Sequence, residues 1–195
     1  MQKPNGYDNV QASGEFIPVE LGGHHAVIKQ VSETQSRNGQ PMIVVLFDFD
    51  STDQQPDHFK IQFTNDDRPE KKWPFAGSKY ILVNDYVDKT KTSRNFKTFC
   101  TCVEKSNNYS IVWGSADWAG QFKGKKIGVV FGEEESEYDG KVTMKRLPRW
   151  FCTYDTALTA NVPSAKLLKK QPALVAAASD GFINVPSDAD EEIPF

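Results

Sequence analysis

The chain has 195 residues, 38% hydrophobic and 25% charged, with 13 Phe, 4 Trp and 6 Tyr, which fits one ordinary domain with an extension and excludes a wholly disordered chain. No apolar run approaches the ~18 residues of a membrane span, and the start, Met1-Gln2-Lys3-Pro4-Asn5-Gly6, holds no apolar signal segment, so neither a membrane partner nor export is expected. The net charge of -3 conceals an asymmetry: residues 1–170 hold 23 Lys+Arg against 21 Asp+Glu, whereas residues 171–195 hold five acids and no base. A near-neutral body with an acidic tail points either to an interaction tail on a nucleic-acid-contacting body or to a solubilising tail.

Residues 1–15 are polar and read as a flexible arm. Strand signals begin at Phe16, and residues 26–31 form a short apolar-rich run. Ser36-Arg37-Asn38-Gly39-Gln40-Pro41 is a turn by composition. Residues 42–49, rich in β-branched and aromatic side chains, read as a central strand covered on both faces. Residues 53–57 form a loop. Residues 58–64 then alternate, and read as a strand with Phe59, Ile61 and Phe63 joining Phe47 in the core and His58, Lys60, Gln62 and Thr64 on the other face.

Residues 65–79 form a polar excursion carrying Lys71, Lys72, Trp73 and Phe75, and residues 80–83 are a candidate short strand. The period then changes. Phe96, Phe99, Cys100 and Val103 fall at i, i+3, i+4 and i+7, which predicts a helix over 91–105 capped at Thr92 or Ser93. Residues 125–131 are a strand, Glu133 to Glu137 an acidic loop, and Asp139-Gly140 a hairpin turn. Residues 141–152 return as a strand. One face holds Lys141, Thr143, Lys145, Leu147 and Arg149, the other Val142, Met144 and Trp150, and Pro148 marks an edge or a bulge.

Three strands, a helix and two more strands match the order of the OB-fold, a five-stranded Greek-key barrel with one helix between strands 3 and 4. A β-sandwich with one helix has the same inventory. The expected fold class is therefore mainly β. The expected divisions are an arm over 1–15, an OB-fold domain over 16–170 and a disordered acidic tail over 171–195.

The tail ends Ser187-Asp188-Ala189-Asp190-Glu191-Glu192-Ile193-Pro194-Phe195. Physically this is a docking peptide: the acids steer toward a basic rim, Phe195 fills an apolar pocket and its carboxylate pairs with a base or backbone amides. Asp188, Asp190, Glu191, Glu192, Ile193, Pro194 and Phe195 resemble the acidic tip of bacterial single-stranded DNA-binding proteins. That resemblance implies recruitment of replication, recombination and repair proteins. A second resemblance covers more of the chain. Residues 99–107, Phe122-Lys123-Gly124-Lys125-Lys126-Ile127-Gly128-Val129-Val130-Phe131-Gly132 with the following glutamates, Tyr138-Asp139-Gly140-Lys141-Val142, and the turn from Ser36 to Met42 are similar to proteins of phages of Gram-positive bacteria. Those are taken to be OB-fold single-stranded DNA-binding proteins. The insertion at 65–90 and the lack of a full match to the bacterial barrel depart from both patterns.

The residues make the same case by themselves. Single-strand binding needs bases for phosphates and aromatic planes for stacking. Residues 89–97 hold Lys89, Lys91, Arg94 and Lys97, and residues 141–149 hold Lys141, Lys145, Arg146 and Arg149, neither with an acid. The candidate stacking residues are Trp73, Trp150, Tyr80 and Tyr86. The candidate phosphate contacts are Arg37, Lys60, Lys72, Lys91, Arg94, Lys145 and Arg149. Arg37 and Lys60 are included because OB-folds bind on the face of strands 2 and 3 and on the loop between strands 1 and 2.

No catalytic residue, metal or cofactor is expected. Neighbouring His24 and His25 point to opposite faces of a strand, and His58 is the one other histidine. Cys100 and Cys102 lie about 200° apart on a helix, so they cannot share a metal, and three cysteines write neither a disulfide framework nor a zinc box. Reduced thiols in a cytoplasm are expected. No phosphate-loop, dinucleotide or nucleophile motif occurs. The expected function is sequence-tolerant coating of single-stranded DNA in phage replication and recombination, compatible with a homo-oligomer. The alternatives are a protein-interaction adaptor and, last, a metal-dependent nuclease using the acids of 133–139.

Overall fold

The computed structural model describes residues 1–5, 7 and 17–168. The expected arm falls mostly, and the tail with its tip wholly, outside the described residues. Five strands form one antiparallel sheet with few helices: β1 (Gly22–Gln35), β2 (Pro41–Phe49), β3 (Ser78–Leu82), β4 (Lys126–Tyr138) and β5 (Lys141–Cys152). Their order across the sheet is β3-β2-β1-β4-β5. The helices are α1 (His58–Thr64), between β2 and β3, and α2 (Arg94–Asn107), between β3 and β4.

Alternation sets the inner face. His24, Ala26 and Ile28 of β1 are buried, then one extra residue between the Ile28–Phe47 and Gln30–Leu46 pairs shifts the inward register to Val31. On β2 the inward residues are Ile43, Val45, Phe47 and Phe49. Its other face, Met42, Val44 and Leu46, is half-exposed, so β2 is covered on one side rather than both. The helical spacing of α2 buries Phe96, Phe99, Cys100 and Val103 together, and Phe99 packs 5.3 Å from Phe122 and 5.4 Å from Phe151. Ser93 stands at its N-cap position but gives no side-chain cap.

The segment over 58–64 is a helix, not a strand. Asp57 turns the chain through a left-handed conformation, φ 53°, and the buried Asp48 carboxylate accepts the Phe59 and Lys60 amides at 2.9 and 3.1 Å. That capping starts a helix in seven residues whose alternation also satisfies the i, i+4 spacing. The consequence is a different burial: Phe59 is in the core, Ile61 is 44% exposed, and Phe63 leans on Trp73 at 5.8 Å. The third strand is Ser78–Leu82, which overlaps the run read at 80–83.

The acidic run is also strand rather than loop, because β4 continues to Tyr138 opposite β5. Asp139 and Gly140, with φ 51° and 71°, make the two-residue turn that Asp-Gly favours. Pro148 lies on an edge strand beside a bulge: Val130 pairs with Trp150 and Phe131 with Pro148, leaving Arg149 as the extra residue. The two edge strands approach each other there, and Lys79 Nζ of β3 donates to the Pro148 carbonyl of β5 at 2.8 Å. After β5 the chain makes a 3-10 turn (Tyr154–Thr159) and bridges back to β4, with Lys166 beside Glu134.

Candidate nucleic-acid interface

The outer face of β2 and β3 is built by pairing. Met42 lies opposite Leu82, Val44 opposite Tyr80 and Leu46 opposite Ser78. Their alternates, Ile43, Val45 and Ile81, are buried, so this row faces outward, except at its Ser78 end, which is buried. Tyr80 is 53% exposed, and Phe75, 64% exposed, lies 6.3 Å from it. Two exposed rings on an apolar strip form a platform on which flat groups can stack.

Beside Phe75 the β4–β5 hairpin overhangs a groove of about 640 Å³, lined by Val19, Gln62, Phe75, Ala76, Met144, Lys145, Arg146 and Leu147, with Glu133 on one wall. The basic strand face is not free of acid in space. Glu133 pairs with Arg146 across the ladder and Glu134 with Lys145. Arg146 Nε stands 3.9 Å from Glu133, while Glu134 is taken by Lys166 at 2.6 Å. Lys145 makes no ion pair among the described residues. At the seam, Arg149 Nη1 donates to the Glu133 carbonyl at 3.1 Å. Burial, and then the Arg149 charge, push Lys79 down to about 8.

The structure gathers some sequence candidates and scatters others. Tyr80 and Lys145 border the platform and groove, and Arg149 and exposed Trp150 follow on β5. Arg37 is exposed at the β1–β2 turn, where Gly39 takes φ 72°. Arg94 is exposed at the start of α2. Lys60 leaves the strand face assigned to it, because it is on α1, 3.6 Å from Asp57. Lys72 is exposed in the loop before β3. Trp73 beside it is half-buried against the core, its indole N–H donated to Gly77 O at 3.0 Å. Tyr86 and Lys91 sit in the β3–α2 loop, Lys91 paired with Asp88 at 3.0 Å. The tip residues Asp188, Asp190, Glu191, Glu192, Ile193, Pro194 and Phe195 lie outside the described residues.

Sequence reasoning missed Phe75, Lys79 and Trp113. Trp113 is 61% exposed and stacks on Trp118 at 5.7 Å, which in turn leans on Phe96 at 5.9 Å. The spacing of 113 to 118 gave no period from which this could be read.

The histidines brace a loop. His24 is buried, with Nδ1 3.0 Å from Asp53 and Nε2 3.0 Å from Glu20 O, and its ring lies 4.2 Å over Phe49. His25 meets Thr52 at 2.8 Å and stacks on Tyr154 at 3.9 Å. Burial would raise Asp53, but the bonds from His24 and the Gln55 and His25 amides outweigh it and hold the carboxyl below its ordinary 3.8. Burial pushes the Cys100 thiol up to about 12 and that of Cys102 to about 11, which keeps both protonated and unreactive. Among the described residues no three His, Cys, Asp or Glu gather as a metal site, and no helix is long and apolar enough to cross a membrane. No protein-family model matches the chain, and no curated protein matches it either.

Proposed function

We propose that the chain is an OB-fold single-stranded DNA-binding protein of phage type, which coats exposed strands without regard to sequence and performs no catalysis. The observation that carries this reading is the outward row on β2 and β3, Met42, Val44, Leu46, Tyr80 and Leu82, continued by Phe75 and bordered by Lys145. Stacked bases need such planes, and the phosphates between them need nearby cations. The OB assignment is supported by the strand order, by edges that meet at Lys79 and Pro148, and by α2 standing between β3 and β4. In this reading the tip at Asp188–Phe195 recruits replication, recombination and repair enzymes, and its acids compete weakly with DNA for the basic groove.

A second reading, a protein-interaction adaptor, is favoured by one observation. The acids of β4 run directly opposite the bases of β5, which weakens the field available to phosphate. Anisotropy of a labelled oligo-dT separates the two. The DNA reading predicts binding that Tyr80→Ala loosens about fivefold or more and Tyr80→Phe leaves close to wild type. No binding by the wild-type chain leaves the adaptor.

A further inference from the structure

The face just described leads into a second feature that the strand row does not use. Where the β1–β2 hairpin leaves the sheet, a slot of about 390 Å³ opens between Glu33, Thr34, Pro41 and Met42 on one side and Phe96, Trp113 and Trp118 on the other. The size is within the range of small-ligand pockets. Its wall is a cluster of three rings, Phe96, Trp118 and Trp113, each within 6.3 Å of the other two, and Trp113 is the most exposed. Trp113 lies at 28° to Trp118 and 60° to Phe96 and is 61% exposed, so it presents ring surface to solvent at the mouth of the slot. Trp118 Nε1 is buried and has no acceptor among the described residues, an unmet need that folded proteins leave at few places.

We propose that this slot takes one unpaired nucleobase, stacked on Trp113, with the adjoining phosphate at the start of α2. Two observations select this occupant. Met42 lines the slot and also pairs with Leu82 on the outer face, so a strand lying across Tyr80 reaches the slot without leaving the surface. The first turn of α2 holds no acid and receives no side-chain cap, and Arg94 and Lys97 are exposed on either side of Phe96. That helix end offers backbone amides and a partial positive charge to a phosphate oxygen. The slot lining itself holds one acid, Glu33, and no base, so the cations that attract the chain are Arg94 and Lys97 at the helix end. A strand would then run from the groove under the β4–β5 hairpin, over Phe75 and Tyr80, past Met42 and out over Trp113.

This assignment rests on the single-stranded DNA reading, and its test keeps the two apart. The full chain and its Trp113→Ala and Trp113→Phe variants are titrated with oligo-dT, following anisotropy of the labelled DNA and quenching of protein tryptophan fluorescence. Trp113 is exposed, so neither variant disturbs the core, and circular dichroism verifies this. The slot predicts that Trp113→Ala weakens binding about 5- to 150-fold. It also predicts that Trp113→Phe keeps affinity close to wild type while losing part of the quenching. Wild-type affinity in Trp113→Ala overturns the slot and leaves the parent reading standing. Failure of the wild-type chain to bind oligo-dT overturns both.

Discussion

Lys79 gives a sharp test of how the two edge strands are joined. Its ammonium is half-buried between β3 and β5, donates to Pro148 O at 2.8 Å, and is pushed from an ordinary 10.5 down to about 8 by burial and then by Arg149. The unfolded chain holds this proton up to about pH 10.5, whereas the folded chain releases it above about pH 8. Between those values the unfolded state binds more protons, so the Lys79 contribution makes stability rise with pH. From pH 7 to pH 9.5 that linkage amounts to about 2 kcal/mol, reduced by whatever solvent the ammonium retains. The thiols act in the opposite direction over the same range, because Cys100 and Cys102 stay protonated in the fold. The test is therefore a difference. Urea unfolding of wild type and Lys79→Met, repeated across this range, cancels the thiols. The gap between the two chains should move in favour of wild type by about 1–2 kcal/mol on going from pH 7 to pH 9.5. Parallel curves would refute the buried, charge-strained lysine.

Phe99 is 0% exposed between Phe122 and Phe151, so Phe99→Ala should cost about 3–5 kcal/mol by urea unfolding; a cost under about 1 kcal/mol would contradict the packing of α2 on the sheet. Asp53, held below 3.8 in the fold, contributes stability that is present above about pH 4 and is lost as pH falls through its folded value. Asp53→Asn should therefore flatten the acid limb of the stability profile, and an unchanged limb would show that His24 and Asp53 are not coupled.

Much of the fold was legible because period and turn chemistry agreed. The stripe from Phe96 to Val103 has one geometric solution, and Asp139-Gly140 fits a tight hairpin. The Pro148 irregularity was readable because proline cannot donate to a ladder. The stretch over 58–64 was not legible, because seven residues with Phe59 and Phe63 four apart serve either period, and the deciding atoms are the carboxylate oxygens of Asp48, ten residues before Phe59's neighbour His58. The charge of β5 was misjudged for a related reason. A linear run without acids, from Lys141 to Arg149, is folded back across the Asp139-Gly140 turn against Glu133 and Glu134, a pairing that the run read by itself does not show. Of the candidate interface, Tyr80 and Lys145 could be found from composition. Trp113 could not, because its exposure depends on the irregular segment between α2 and β4.

The central claim is single-strand-selective, electrostatically assisted binding, and a salt series tests it most directly. Oligo-dT and a duplex of the same length are titrated into the full chain at several salt concentrations. With Arg37, Arg94, Lys145 and Arg149 as phosphate contacts, log K against log salt should fall with a slope of about -3 for the single strand, with much weaker binding of the duplex. A slope near zero, or equal affinity for single strand and duplex, would contradict the account.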